Sequence, residues 1–72
     1  MIDARPEKHS LTLRGHRTSV SLERVFWDAF RQAAQAEGKA LNELAAEIDE
    51  ARGDIGLASA IRVWLFRRAQ SL

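Results

Sequence analysis

The stretch GHRTSVSLERVFWDAF, Gly15 to Phe30, changes its period without an intervening loop. Thr18 to Leu22 alternates polar and apolar residues as a strand does, and from Glu23 the apolar residues recur at helical spacing. A lone strand has unpaired backbone on both edges, so a mate has to come from elsewhere in the chain or from a second copy. With 72 residues the chain is one domain, and a domain of that size buries only about 60% of the surface its unfolded form exposes. It has no cysteine, so neither a disulfide nor a thiolate zinc site can supplement a small core, and oligomerisation is the favoured remedy. A strand partner supplied by a second copy is the first expectation.

Residues 1–8 hold the only proline, Pro6, and little apolar content, and read as a flexible N-terminal arm before a single domain at 9–72. A second alternating piece, Ser10 to Leu13, precedes the first strand candidate. Leu11 and Leu13 are odd-numbered while Val20 and Leu22 are even, so one flat continuous strand would put the two pairs on opposite faces. Gly15 is the natural place for a bulge, bend or turn. The alternative is an intramolecular hairpin looping through Arg14 to Arg17, with Leu13 opposite Thr18 and Leu11 opposite Val20, which gathers all four apolar residues on one face. It ranks second, because the loop lacks a strong primed-turn signature.

Three helices follow. In the first, Leu22, Phe26, Ala29, Ala33 and Ala36 form a stripe widened by Val25, Trp27, Phe30 and Ala34, with Ser21 as N-cap and Gly38 as stop. The second, Leu41 to Arg52, sets Leu41, Leu44, Ala45 and Ile48 against Glu43, Glu47 and Glu50, and Gly53 closes it. The third, Leu57 to Ala69, carries Leu57, Ile61, Trp64 and Leu65 beside Ala60, Val63 and Phe66. Its central VWLF is apolar all round, too much to bury inside one small chain, and is expected to pack partly against a second copy. The expected fold is mainly α with one short β-strand, its core and dimer interface built from Val20, Leu22, Phe26, Trp27, Phe30, Leu44, Ile48, Ile61, Trp64 and Leu65.

The formal net charge is only +1, but the charges are segregated: residues 1–24 carry five basic and three acidic groups, 25–54 three and seven, and 55–72 three and none. Positive ends around an acidic middle give modest support for an anionic partner. No apolar run approaches the roughly 18 residues of a membrane span, and the N-terminus lacks the apolar core of a signal peptide, so a soluble cytoplasmic chain without membrane partners is expected. His9 and His16 lack acids or cysteines at ligand spacing and read as surface histidines, with no metal and no cofactor. Trp27 and Trp64 lie in apolar helical stripes and read as packing residues before base-stacking ones. Arg67 and Arg68 suit the negative end of the last helix. Arg14, His16 and Arg17 suit either phosphate contact or a solvated turn. Serines, histidines and carboxylates form no recognisable catalytic arrangement, so an enzyme is not expected.

RTSVSLERVFWDAF followed by AEGKALNELAAEID, with the phrases GHRTS, FW and LASAIRVWL, resembles the short bacterial proteins of the ribbon-helix-helix family over roughly residues 9 to 70. The resemblance implies an intertwined homodimer whose two strands pair as an intermolecular antiparallel ribbon in the DNA major groove, here with an additional C-terminal helix. Thr18, Val20 and Leu22 would face the helices, and Arg17, Ser19 and Ser21 the base edges. It further implies phosphate contacts at the start of the second helix, near Ala40 to Glu43, from which Lys39 and Asn42 are candidates beside Arg14 and His16. The chain departs from the pattern at Ala40, where a capping serine or threonine would contribute about 1 kcal/mol, and in the acidic face that begins at Glu43. The implied function is a dimeric sequence-specific DNA-binding protein, a transcriptional regulator (repressor) or antitoxin-like autoregulator with a toxin as a further protein partner. The rival expectation is a protein–protein interaction module that uses the same dimeric fold without specific DNA binding.

Overall fold

A computed structural model describes residues 4–71, so the first three residues of the expected arm lie outside the described residues. The elements run β1 (Pro6–Leu13), β2 (His16–Glu23), α1 (Arg24–Ala36), α2 (Leu41–Ala51) and α3 (Leu57–Ser71). Two corrections to the sequence expectation concern β1. There are two strands rather than one short one, and the arm's boundary at residue 8 moves back, because Pro6, Glu7 and Lys8 already pair with Glu23, Leu22 and Ser21. The mate of Thr18–Leu22 is thus β1 of the same chain, across the antiparallel pairs Leu11–Thr18, Ser10–Ser19, His9–Val20, Lys8–Ser21 and Glu7–Leu22.

The connection is shorter than the hairpin alternative supposed. Leu13 pairs with His16, leaving only Arg14 and Gly15 in the loop, with φ of 50° and 87°. Two successive positive φ angles are the pattern of a type I′ turn, whose twist matches that of the strands it joins. The register is therefore two residues away from Leu13–Thr18. Because side chains alternate with period two, a shift of two preserves the faces. Leu11, Leu13, Val20 and Leu22 do share one face and are all buried.

That face is covered by the three helices. Leu22, Phe30, Ala45 and Ile61 are fully buried, Trp27 and Leu44 nearly so, and Ile48 and Leu65 complete the large side chains of the core. Phe26 and Trp64, expected in the core, are only partly buried against it. Trp27 ties sheet to helix: its indole Nε1 donates to the Glu7 carbonyl at 2.8 Å, and the His9 ring meets it edge-on at 4.7 Å. On α3, Ile61 and Leu65 turn inward while Val63 and Phe66 stay 49% and 62% exposed.

Helix ends follow local chemistry. Strand pairing continues to Glu23, so the N-cap of α1 is Glu23, in extended backbone and without a side-chain cap bond, and not the expected Ser21. At the other end Gly38 takes φ 68°, Lys39 N–H donates to Ala34 O at 2.9 Å and Gly38 N–H to Gln35 O at 3.1 Å. This is the paired Schellman arrangement. α2 starts after Ala40, which makes no side-chain cap bond.

Gly15 has open space around the position of a Cβ, so only its φ of 87° demands glycine. Gly15→Ala is expected to destabilise the chain by about 1–2 kcal/mol, the cost of holding an L-residue in left-handed backbone, read as a lower urea midpoint with unchanged slope. Gly15→Asn, which tolerates that region, should lose less.

Candidate nucleic-acid interface

The face of the hairpin opposite the core is a ladder of pairs: Lys8–Ser21, Ser10–Ser19 and Thr12–Arg17. Five of these side chains are exposed and Ser21 is half-buried. The three residues expected at base edges, Arg17, Ser19 and Ser21, therefore lie on one face, with Thr18, Val20 and Leu22 on the other. Lys8, Ser10 and Thr12 share the outward face and were not among the expected site residues. Their signal was in the sequence as polar positions alternating with His9, Leu11 and Leu13, obscured because Lys8 was assigned to an arm.

Backbone direction can be read from a single bond. Thr12 N–H points away from β2 and meets Asn42 Oδ1 of α2 at 3.4 Å. Thr12–Arg17 is therefore one of the wide, non-hydrogen-bonded pairs of an antiparallel ladder, and by alternation so are Ser10–Ser19 and Lys8–Ser21. The amides and carbonyls of Arg17, Ser19 and Ser21 consequently point off the outer edge of β2. Consistent with that, the Ser21 carbonyl accepts from Arg62 Nη2 of α3 at 3.4 Å.

Carboxylates flank this face without standing on its middle. Glu23, at its end, is held by Arg62, with Nε–Oε1 at 3.0 Å and Nη2–Oε2 at 3.2 Å. The Arg62 guanidinium also lies 5.8 Å from the centre of the Phe26 ring. Glu7 projects to the core side, where Arg24 Nε reaches it at 2.8 Å and His9 Nε2 at 3.5 Å. Hydrogen bonding from Arg62 holds the Glu23 carboxyl below its ordinary pKa, and Arg24 does the same for Glu7.

Of the four expected phosphate contacts, three have partners inside the chain. Arg14, at the turn, pairs with Glu50 of α2. Lys39 Nζ lies 2.7 Å from Glu47 Oε1 and 3.5 Å from Glu37 Oε1, and the bond to Glu47 raises its pKa. Asn42 accepts the Thr12 amide. His16 is exposed at the mouth of the turn, on the core side of the ribbon. Among the described residues, Lys8 and Arg17 are cations of the hairpin that form no ion pair.

A second surface lies between α2 and α3. A groove of about 280 Å³ is lined by Ile48, Ala51, Ile55, Val63, Trp64 and Arg67. No helix among the described residues is long and apolar enough to cross a membrane.

The sequence matches the model of a family described as ribbon-helix-helix domain over residues 6–69. Among curated proteins and among solved structures, none matches the chain significantly. The match begins at Pro6, so it takes in β1 as well as β2 and all three helices.

Because both carboxyls titrate lower when folded than when unfolded, the stability they contribute is present above the ordinary carboxylate range, about 4.3, and is lost as pH falls through their lowered values. Thermal melts should fall as pH drops below that range, and the fall should be shallower in the Glu7→Gln/Glu23→Gln double variant.

Proposed function

The chain belongs to the ribbon-helix-helix family, in general a fold of dimeric DNA-binding regulators rather than of enzymes, and from that premise we propose that it is a sequence-specific DNA-binding protein acting as a transcriptional regulator, of the repressor or antitoxin-like autoregulator kind. The observation that carries this reading is the outward face of the ribbon. Arg17, Ser19 and Ser21 stand on it side by side, Arg17 has no ion pair among the described residues, and the nearest acid on that face, Glu23, is neutralised by Arg62. A two-stranded ribbon fits a major groove about 12 Å wide, where an arginine can bind guanine O6 and N7 together and serine hydroxyls can donate or accept. His16 and the helix α2 start flank the face as sources of phosphate contact. Two copies would bind two half-sites around a two-fold axis, and Val63 and Phe66, left in solvent on α3, are the apolar surface we assign to the second copy.

A second reading, an interaction module for another protein, draws on the apolar groove between α2 and α3. Mobility of random duplex DNA at low salt separates the two, since a DNA-binding chain retains non-specific, salt-dependent affinity. No shift at micromolar protein would favour the interaction module.

Arg17→Ala is expected to weaken binding to a selected duplex by about 1–3 kcal/mol and to relax preference at one base pair. An equal loss on all sequences, with the salt slope reduced by about one, would make Arg17 a phosphate contact instead. Sedimentation at high protein concentration should give twice the chain mass, and Phe66→Glu should shift the population toward single copies.

A further inference from the structure

Of the three arginines of α3, two are held within the chain. Arg62 pairs with Glu23, and Arg68 Nε lies 3.6 Å from Glu37 Oε2, but Arg67 forms no ion pair among the described residues. Arg67 lines the groove between α2 and α3, as does Trp64 of the same helix. We infer that this groove is a binding site for a small amphipathic carboxylate, an aryl or short acyl acid, with Arg67 taking the carboxylate and the apolar lining taking the body. The inference goes beyond the DNA-binding reading and does not depend on it.

The groove is built around the α2–α3 connection. Ile48 is buried and Trp64 half-buried, whereas Ile55 and Val63 line it at 54% and 49% exposed. Large side chains left that open gain from being covered, since apolar area is then removed from water. The connection is pinned. Arg52 Nε donates to Asp49 Oδ1 at 2.6 Å, its Nη1 donates to the Ile55 carbonyl at 2.7 Å, and the Ile55 amide donates to the Arg52 carbonyl at 3.2 Å. Ile55 is thus in place before any ligand arrives, as in a preformed small-molecule site.

Charge, donors and size select the ligand. No carboxylate lines the groove, Asp49 of α2 is engaged by Arg52, and residues 55–72 carry three basic and no acidic groups. The Trp64 indole N–H makes no hydrogen bond among the described residues, and Arg67 follows it three residues on, a neighbour on the helix surface. A guanidinium fork binds a planar carboxylate through two parallel N–H···O bonds, and the indole N–H is a further donor for the same anion. The groove volume of about 280 Å³ lies at the lower end of small-molecule sites, which begin near 300 Å³. One turn of a partner helix, about 10 Å across and 5.4 Å long, occupies on the order of 400 Å³. The groove therefore encloses a short acid but admits a helix only by its side chains.

The test uses the full chain labelled with a nitrogen isotope for NMR, without DNA, at fixed pH and ionic strength. Phenylacetate and octanoate are titrated in as acids, phenylacetamide as the uncharged isostere, and acetate as an acid without an apolar body. The readout is the pair of indole N–H signals, assigned with Trp64→Phe. Trp27, buried with its N–H on the Glu7 carbonyl, reports the core. Support is a saturable shift of the Trp64 signal and of the Ile55 and Arg67 amides while the Trp27 signal stays in place. Phenylacetate should bind at least tenfold more tightly than phenylacetamide or acetate, and Arg67→Ala should lose about tenfold for phenylacetate, the effect of one charged hydrogen-bonding partner, with Arg67→Lys recovering part of it. Arg67 is exposed, so its removal leaves the core intact; if Arg67→Ala nevertheless melts early, the comparison of acid with amide on the wild type decides. The inference is overturned if neither phenylacetate nor octanoate gives a saturable shift, if phenylacetamide or acetate binds as tightly as phenylacetate, or if a stably folded Arg67→Ala binds phenylacetate unchanged. Any of these results leaves the DNA-binding reading standing, because no duplex enters the measurement.

Discussion

The left-handed pair Arg14 and Gly15 sets the hairpin's register, and both faces of the ribbon depend on that register. With two residues in the turn, Leu13 must meet His16, and the pairing then runs unbroken to Pro6–Glu23. A slip of one residue would carry Leu11 and Leu13 to the outward face and bring Ser10 and Thr12 into the core. A slip of two would keep the faces but would move Glu7 relative to Leu22, and with it the carbonyl that accepts the Trp27 indole N–H. Turn and tryptophan therefore hold the hairpin at opposite ends. One excludes other loop lengths, and the other anchors the start of β1 to α1.

Much of the acidic middle of the sequence is paired within the fold, although Glu43 and Asp54 form no ion pair among the described residues. Glu50 pairs with Arg14 at the turn and Glu47 with Lys39 at the entrance to α2, and Glu23, ahead of that middle segment, pairs with Arg62. Each of these contacts joins a carboxylate to a cation from a different element or loop. They are exposed or half-buried, so each contributes little to stability. Their larger effect is on potential: they leave the outward ribbon face without an uncompensated carboxylate, while Lys8 and Arg17 retain their charge. The acidic face of α2, which looked like an obstacle to a polyanion, is in part directed at the chain's own basic turn.

Helix content was legible because spacing is local. The stripes through Phe26 and Phe30, through Leu44 and Ile48, and through Ile61 and Leu65 all reach the core, and Gly38 and Gly53 adopt the positive φ expected of helix ends. The strand's mate was less legible. An Arg-Gly turn with its first residue left-handed is uncommon for a side chain with a Cβ, and arguments from small size favoured a second copy. Ser21 shows a related conflict, since its residue type just ahead of the helical spacing suits a cap, but pairing with Lys8 keeps it in the strand and the N-cap falls at Glu23. Arg17, Ser19 and Ser21 share one face of the ribbon because alternation alone determines a face. The inside partners of Lys39 and Asn42, Glu47 and Thr12, are found only once the chain is folded, because they lie 8 and 30 residues away.

The additional helix α3 links the ribbon to the rest of the surface. Ile61 and Leu65 fill the core beneath the sheet, and between them Arg62 reaches both the Glu23 carboxylate and the Ser21 carbonyl, where β2 passes into α1 without a loop. That junction has no side-chain cap of its own, so the guanidinium is the group that bonds the last residues of the strand from outside. Val63 is the next residue along α3, and Phe66 lies one helical turn further on, both facing solvent. A surface that covers these two side chains lies beside the one arginine of α3 whose hydrogen bonds reach the end of β2. Arg62 thus joins the exposed apolar side of α3 to the end of the ribbon's outward face.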